Sequence, residues 1–335
     1  MGEVRIGTSG WSYPSGPGTW KGIFYPPKQR GRAFDELSYY AQHFDTVEVN
    51  ASFYRPPDPA IVAKWAERTP AGFDFSVKLY QKFTHLTMHQ KATSLDLPGD
   101  AVNSAIPTAT RADVDSFQRA MDPLASAGKL GAMLAQFPPS FRDTEDSREY
   151  LVWLLQAFRR FPLAVELRHR SWSDHEPQVI DLLNEFGASW VQIDEPKFRF
   201  SIRQSHLPHL RRLYYMRLHG RNAEKWWTHD HPDERYNYLY SPGEVDSFGD
   251  TISTVRRLVQ KIYVYMNNHF AGKAVANAAM LRHRLGQPVP GPYEHGMLDR
   301  YTELAQIVPR TGDGSLFGNV ETEEGAAEGA EPREG

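Results

Sequence analysis

The chain has 335 residues, of which 40% are hydrophobic and 24% charged, the composition of an ordinary globular protein. Its formal net charge is -3; residues 311–335 hold seven acidic residues and one arginine, so the rest of the chain carries +3, far from the strongly basic character of dedicated nucleic-acid binders. The absence of cysteine excludes disulfides, thiolate nucleophiles and cysteine-based zinc sites. No apolar run approaches the roughly 18 residues of a membrane span, and the N-terminus lacks a signal-peptide pattern, so we expect a cytoplasmic protein without a membrane partner.

Short apolar runs rich in β-branched residues alternate with longer helical patterns. Strands are predicted at residues 4–8, 46–50, 73–78, 130–137, 163–168, 189–194, 214–219 and 262–267. Helices are predicted at residues 34–44, 59–68, 111–127, 146–160, 176–186, 243–260 and 273–285. The polar segment 79–110 is predicted to be an inserted loop with space for a short helix.

Strands that alternate with helices predict a parallel sheet covered on both faces. Eight strands favour closure into a TIM (β/α)₈ barrel of class α/β, as a single domain. The competing doubly wound sheet lacks its dinucleotide loop, because no G-x-G-x-x-G follows the first strand. We assign residues 1–290 to the barrel, 291–310 to a C-terminal extension and 311–335 to a disordered acidic tail, since the last segment has almost no large apolar side chains.

In such a barrel the functional residues lie where the strands end and the following loops begin. Most of the predicted strands end in charged or amide side chains, which must be paired or face a ligand, because bare burial costs several kcal/mol each. The predicted catalytic candidates are Glu48, Glu166 and His219. The predicted ligand-binding candidates are Trp11, Asn50, Tyr54, Lys78, His85, Gln136, Arg168, Asp194, Arg217, Arg221, Tyr238, Asn267 and Asn268.

Alternation within the strands predicts which of these side chains enter the barrel. Glu48 and Asn50 share one face of their strand, and the valines between them share the other. Glu166 with Arg168, and Arg217 with His219, repeat this pattern. Two interpretations of Glu48 remain equal alternatives. It forms an internal ion pair with Arg168 or Arg217, or it acts as a general base or a metal ligand.

Four cations, Lys78, Arg168, Arg217 and Arg221, are predicted to face one pocket, where they would form an anion site with phosphate as its commonest occupant. An internal salt-bridge lattice without a ligand is the alternative. Aromatic side chains such as Trp11, Tyr54 and Tyr238 suit stacking on a base or a sugar, or closing of the loops as a lid core. No H-x-H or H-E-x-x-H is present, so no cofactor is predicted and a divalent metal stays a minor alternative.

Short motifs between about residues 4 and 285 agree, in order, with one family. They are Gly7-Thr8-Ser9-Gly10-Trp11 with Tyr13, Phe24-Tyr25-Pro26, Val47-Glu48-Val49-Asn50 with Phe53-Tyr54, Lys78 with Thr84-His85, Gln136-Phe137-Pro138-Pro139-Ser140-Phe141, Glu166 and Arg168 with Ser171-Trp172, Arg217 with His219-Gly220-Arg221, and Asn267-Asn268. On these residues the chain resembles the YecE-like family, known as domain of unknown function 72 (DUF72).

The resemblance implies a TIM barrel but no activity, and it assigns no catalytic residue. The family's barrel is similar in shape to those of endonuclease IV and xylose isomerase, which use metals at the same face. The histidine-rich metal pattern of endonuclease IV is not evident here. The likeness therefore rests on the fold and does not transfer chemistry.

The leading hypothesis is a basic and aromatic pocket that binds a phosphate-bearing small molecule or nucleic acid, with phosphoester hydrolysis as the candidate reaction. Glu48 or Glu166 would act as the base and His219 as the acid. Two alternatives are kept open. One is a non-catalytic module for nucleic acid or a regulatory ligand, and the other is a metal-dependent isomerase or glycoside-active enzyme that uses Glu48 and Glu166 as paired carboxylates.

Overall fold

The computed structural model describes residues 1–27, 34–85, 109–204 and 212–308. Most of the predicted inserted loop, at 86–108, lies outside these ranges, and so does the predicted acidic tail. Within the described ranges, no helix is both long and apolar enough to cross a bilayer.

The centre of the described chain is a parallel sheet that curves into a barrel. Its strands are β1 (Glu3–Ser9), β2 (Thr46–Val49), β3 (Asp74–Lys78), β4 (Leu130–Gln136), β5 (Leu163–Glu166), β6 (Ser189–Trp190), β7 (Gln192–Asp194), β8 (Leu213–Leu218) and β9 (Lys261–Met266). Their spatial order is β6-β5-β4-β3-β2-β1-β9-β8-β7. The predicted TIM barrel is confirmed.

The predicted sixth strand is divided in two, as β6 and β7. β6 pairs with β5, β7 pairs with β8, and only Val191 separates them, so together they fill one strand position and bring the barrel close to closure. The amide of Gln204 explains the interruption. It donates to the Val191 carbonyl at 2.8 Å and accepts from the Ile193 N–H at 3.1 Å, thereby taking bonds that a neighbouring strand would otherwise make.

Helices surround the barrel and cover the outer faces of its strands. They are α1 (Glu36–His43), α2 (Pro59–Glu67), α3 (Gln81–Thr84), α4 (Arg111–Ser126), α5 (Glu145–Phe158), α6 (Arg170–Asp174), α7 (Glu176–Glu185), α8 (Pro242–Val255), α9 (Lys273–Arg284) and α10 (His295–Arg300). Local sequence sets several of their starts. Thr110 before α4 and Ser241 before α8 each form a capping box with the acid three residues on, which satisfies free N–H groups at the helix start.

The barrel interior near the amino ends of the strands is polar, and its side chains hydrogen-bond one another. Tyr263 donates to Asp74 at 2.6 Å, and Tyr265 bonds Ser76 at 2.8 Å and Thr46 at 2.6 Å. These side chains alternate with outward residues along β2, β3 and β9, as strand geometry requires. Because the tyrosine rings fill the volume while their hydroxyls find partners, the lower interior is a packed core rather than a channel.

The segment after residue 290 packs against the barrel. Tyr293, Met297 and Leu304 are buried in the common hydrophobic core. The Tyr301 hydroxyl donates to the Ala271 carbonyl at 2.5 Å. A Cβ on Gly296 would lie 2.2 Å from the Gly22 carbonyl oxygen, so this glycine allows a close approach between α10 and the loop after β1.

Candidate active site

A buried network of ion pairs and hydrogen bonds joins four strands at the upper end of the barrel. The guanidinium of Arg217 on β8 donates to both Glu48 oxygens on β2, at 2.7 and 2.9 Å. It also donates to Glu166 on β5 at 2.6 Å and to Gln136 on β4 at 3.1 Å. Tyr215 donates to Glu48 at 2.7 Å. Arg217 is only 1% exposed, so its charge is balanced by carboxylates and not by water.

A second arginine extends the network toward β7. Arg168 donates to Glu166 at 2.6 Å, and one of its terminal nitrogens lies 3.7 Å from Glu195. Another terminal nitrogen lies 3.2 Å from Nε2 of His219. The Asn267 amide lies 2.8 Å from Nδ1 of the same ring. Arg168 and Arg217 therefore both bind carboxylates. The pair of Arg217 with Glu48 is one of the two ion pairs that the sequence suggested for Glu48.

The network keeps Glu166 charged and His219 neutral. Burial alone would raise the pKa of Glu166, but the Arg217 and Arg168 guanidiniums outweigh it and hold that pKa well below its usual range. Burial lowers the pKa of His219 to about 3, despite the nearby Glu166. Because arginine only donates, Nε2 of the neutral imidazole accepts from Arg168. This arrangement argues against the predicted role of His219 as a proton donor at neutral pH.

A pocket of about 380 Å³ opens above the network. It is lined by Tyr13, Asn50, Phe53, Tyr54, Lys78, Gln136, Arg217, Pro232, Asp233, Arg235, Tyr236, Asn267 and His269. Six of these were sequence candidates, namely Asn50, Tyr54, Lys78, Gln136, Arg217 and Asn267. The volume lies at the lower end of the range for small-molecule sites.

Two cations of the pocket wall form no ion pair with a carboxylate in the described part of the chain. Lys78 extends from the end of β3, and its Nζ lies 3.9 Å from the centroid of the Phe53 ring. Arg235 donates to the Pro232 carbonyl at 3.1 Å and lies 3.0 Å from the ring of His229. Burial, and then the charge of Arg217, lower the pKa of Lys78 to about 7. The pocket wall thus holds two cations without a carboxylate partner among the described residues, together with the carboxylate of Asp233.

Two polar atoms of the pocket-lining residues lack hydrogen-bond partners in the described structure. They are the side-chain oxygen of Asn50 and Nδ1 of His269. The His269 ring stacks on Tyr13 at 4.4 Å, and burial lowers its pKa to about 3. Buried polar atoms without partners are rare in native proteins.

Three other candidates form a separate cluster. Arg221 pairs with Asp194 at 2.8 Å and with Glu244 at 2.7 Å, and Tyr238 donates to Glu244 at 2.8 Å. Tyr240 donates to Asp194 at 2.8 Å. None of these side chains lines the pocket. Since both carboxylates already hold Arg221, the cluster fastens the loop after β8 to α8.

The remaining candidates are also engaged with the protein. Trp11 packs edge-on against Trp65 at 5.8 Å, and His85 lies edge-on to Phe53 at 4.8 Å. Asn268 donates to the carbonyl of Tyr238 and to the side chain of Asn277, each at 2.8 Å. These contacts position the loops around the pocket and do not face its interior.

Sequence reasoning missed one wall of the pocket. Pro232–Tyr236 is a short 3₁₀ helix that returns over the barrel mouth and brings Asp233, Arg235 and Tyr236 to the pocket. This helix begins 14 residues beyond the end of β8, so the strand-end rule did not reach it. Glu195, which approaches Arg168, was likewise not predicted. Among the described residues, no group of three or more His, Asp or Glu side chains could hold a metal ion.

The fold and the site define the class of protein. It is a TIM barrel whose polar pocket lies at the carboxyl ends of the strands, over a buried arginine–glutamate network. The sequence profile of the family described as "Protein of unknown function DUF72" matches residues 5–297. The chain belongs to this family.

Proteins from several bacteria are similar to this chain in sequence, and solved structures of two of them are similar to it in fold. The UPF0759 protein YunF of Bacillus subtilis is 28% identical over 289 residues, which cover 83% of this chain and 93% of YunF. A DUF72 family protein from Thermotoga maritima is 30% identical, with a TM-score of 0.69 over 85% of this chain and 99% of that one. One from Enterococcus faecalis is 25% identical, with a TM-score of 0.69 over 87% and 98% of the two chains.

Proposed function

We propose that the pocket binds a small phosphate-bearing molecule with a hydroxylated, sugar-like body. The observation that carries the proposal is the pair of cations, Lys78 and Arg235, which no carboxylate neutralises within the described residues. A phosphate would accept charge-assisted hydrogen bonds from such groups. A phosphate bound by Lys78 and Arg235 would not disturb the ion pairs of Arg168, Arg217 and Arg221, the other cations that the sequence suggested as anion binders.

The remaining walls suit the body of such a ligand. The side-chain amides of Asn50, Gln136 and Asn267 line the same wall and would hydrogen-bond hydroxyl groups of the ligand. Tyr13, Tyr54 and Tyr236 offer ring faces on which the apolar side of a sugar or a base stacks. A pocket of about 380 Å³ holds one such molecule and not a nucleic-acid duplex.

Phosphoester hydrolysis was the reaction predicted from the sequence. Both carboxylates suggested as the base bind arginine, and the suggested acid, His219, is neutral at pH 7. We therefore limit the proposal to binding. A hydrolytic role for Glu48 or Glu166 would require either residue to leave Arg217 when substrate enters.

The test is thermal unfolding of the protein with paired ligands that differ only in the phosphate. Glycerol 3-phosphate and ribose 5-phosphate should raise the melting temperature, whereas glycerol and ribose at the same concentration should not, because binding to the folded state alone stabilises it. Arg235→Ala should weaken phosphate binding by about 10-fold or more, since a hydrogen bond to a charged group contributes ~1.5–3 kcal/mol.

Arg257→Ala is the matched control. Arg257 is an exposed arginine just beyond the end of α8 that forms no ion pair with any described residue, and its removal changes the net charge equally. Equal losses in the two variants would mean that net charge alone attracts the phosphate, and the pocket would not be the site. The absence of any phosphate-dependent shift in the unmodified protein would reject the proposal outright.

A single-stranded nucleic acid is the second candidate, favoured by a separate observation. Phe198, Phe200 and Trp227 form an exposed aromatic patch, with ring centroids 5.7–5.9 Å apart, on the loops that follow β7 and β8. Lys197 and Arg199 neighbour it in sequence. Stacked rings beside cations bind bases without sequence preference. Here the same assay with a short oligonucleotide would give a salt-dependent shift that Trp227→Ala reduces and Arg235→Ala leaves unchanged.

A further inference from the structure

We propose that Lys78 is a nucleophile, whose amine condenses with an aldehyde or ketone group of the pocket's ligand to form an imine. The inference deepens the proposed function and rests on it for the position of the ligand. It adds a carbonyl to the ligand chemistry and assigns the two cations different tasks. Arg235 holds the phosphate, and Lys78 reacts.

The placement of Lys78 differs from that of three other lysines with buried or half-buried side chains. Lys82 pairs with Asp113 at 2.7 Å, Lys261 pairs with Asp74 at 2.5 Å, and Lys129 donates to the carbonyls of Ala66 and Thr69 at 2.6 and 2.7 Å. Lys78 has no such partner in the described structure. Its amine approaches only a ring face, and its side chain lines the pocket. It is therefore directed toward the space that a ligand would fill.

The charges beneath Lys78 explain why its amine is available. Glu48 and Glu166 are the nearest carboxylates of the network, and Arg217 holds both. Burial and the charges of Arg217 and Arg168 lower the pKa of Lys78 to about 7, so a large fraction of the amine is neutral at physiological pH. Arginine cannot lose its proton in a protein, whereas lysine can, and a neutral lysine is nucleophilic.

The condensation balances without a further reagent. The lone pair of the neutral Nζ forms a bond to the carbonyl carbon, and the carbonyl oxygen becomes the hydroxyl of a carbinolamine. This oxygen then leaves as water with both hydrogens of the amine, and a C=N bond remains. Uptake of one proton gives the iminium, which restores at Nζ the positive charge of a protonated lysine.

The experiment traps the imine in the full-length protein. Glycolaldehyde phosphate, an aldehyde with a phosphate, is incubated with the protein and sodium cyanoborohydride, and labelled lysines are located by peptide mass spectrometry. At pH 7 Lys78 should be labelled at least about 10-fold faster than the exposed Lys64, because an ordinary solvated lysine titrates near pH 10.4 and is almost entirely protonated. The labelling rate of Lys78 should reach half its maximum near pH 7.

Variants and a second probe separate this inference from the proposed function. Lys78→Arg should abolish the label at this position, whereas Lys64→Arg should leave the labelling of Lys78 unchanged. Arg235→Ala should slow labelling by glycolaldehyde phosphate and leave labelling by phosphate-free glycolaldehyde unchanged. Glycerol 3-phosphate binding without preferential labelling of Lys78 would overturn the amine inference and leave the proposed function standing. Preferential labelling of Lys78 by both aldehydes at equal rates would support a reactive amine and count against the phosphate site.

Discussion

Lys78 shares the inward face of β3 with Asp74 and Ser76, yet its environment differs from theirs. Asp74 is paired with Arg5 at 3.2 Å and with Lys261, and Ser76 bonds a tyrosine hydroxyl. Lys78 stands at the top of the strand beside two arginines, with a ring as its neighbour. Retaining a charged group there lowers stability, which is typical of functional positions.

Replacing Lys78 by methionine should therefore stabilise the protein near neutral pH. The folded-state pKa of about 7 lies below the unfolded value of 10.5, so between these values the unfolded chain binds more protons. The stability of the unmodified protein consequently rises as pH increases from 7 to about 10. Lys78→Met should gain at least ~1 kcal/mol at pH 7, and this gain should shrink toward pH 10. Urea unfolding at both pH values measures it.

Lys64→Met serves as the control for this prediction. Lys64 is exposed on α2 and pairs with no carboxylate among the described residues, so its replacement should change stability by less than ~0.5 kcal/mol at either pH. If Lys78→Met lost stability at pH 7, the amine would have to be held by a favourable interaction, and the argument for a reactive lysine would fail.

The charged residues of the barrel interior show which properties of a single residue the sequence can predict. Alternation correctly directs Glu48, Glu166 and Arg217 inward. It could not decide between an ion pair and a ligand site, because that choice depends on which side chains meet across the barrel. Arg217 meets carboxylates 169 and 51 positions away in sequence.

At the scale of elements, the end of β8 depends on a glycine. Gly220 has φ +88° and follows His219, and its N–H lies 2.8 Å from the Tyr240 hydroxyl. A Cβ at this position would lie 2.8 Å from Cβ of Tyr238. Glycine is therefore required here for two independent reasons, the left-handed backbone and the close approach of Tyr238. The position lies between β8 and the loop that covers the pocket.

Gly220→Ala should lower stability by ~1–3 kcal/mol, since it combines a strained backbone with a clash against an ordered loop. It should also weaken ligand binding, because Asp233, Arg235 and Tyr236 lie on that loop. Urea unfolding and the glycerol 3-phosphate assay measure the two effects.

Gly243→Ala is the comparison. This glycine lies in the first turn of α8, with open space around an added Cβ, so alanine should be neutral or stabilising by up to ~1 kcal/mol. Similar losses in both variants would show that the position of Gly220 is not special, and its assigned role would be withdrawn.

At the scale of the whole molecule, the segment after residue 290 contributes to the core of the barrel. Tyr293, Met297 and Leu304 are fully buried, and His43 on α1 contacts the Pro292 carbonyl at 3.1 Å. The sequence treated residues 291–310 as an extension outside the barrel domain. That division stays a prediction, although the packing joins the segment to α1, α9 and the loop after β1.

Truncation tests whether the segment after residue 290 stabilises the barrel. A chain that ends at residue 308 should keep the melting temperature of the full chain. A chain that ends at 290 should lose several kcal/mol, since fully burying each large apolar side chain contributes ~1.5–3 kcal/mol. Thermal and urea unfolding measure the difference. A 1–290 chain as stable as 1–308 would show that the segment contributes nothing to the stability of the barrel.

The sequence by itself located the eight strand positions, although not the division of the sixth, and the seven longer helices. It predicted the inward faces of the strands. It also indicated the end of the barrel at which polar side chains gather. These properties are local, since periodicity, caps and turn residues act within a few positions. Of the predicted site, Asn50, Tyr54, Lys78, Gln136, Arg217 and Asn267 line the pocket.

Only the tertiary structure decided which charges are neutralised and which remain available. Arg217 is paired with glutamates from two other strands, while Arg235 reaches the pocket on a loop that returns over the barrel. Such pairings join residues that are remote in sequence, and local patterns carry no information on the distances between them. Charge balance is set by those distances, because both the attraction between two charges and the cost of burying them depend on where the folded chain places them.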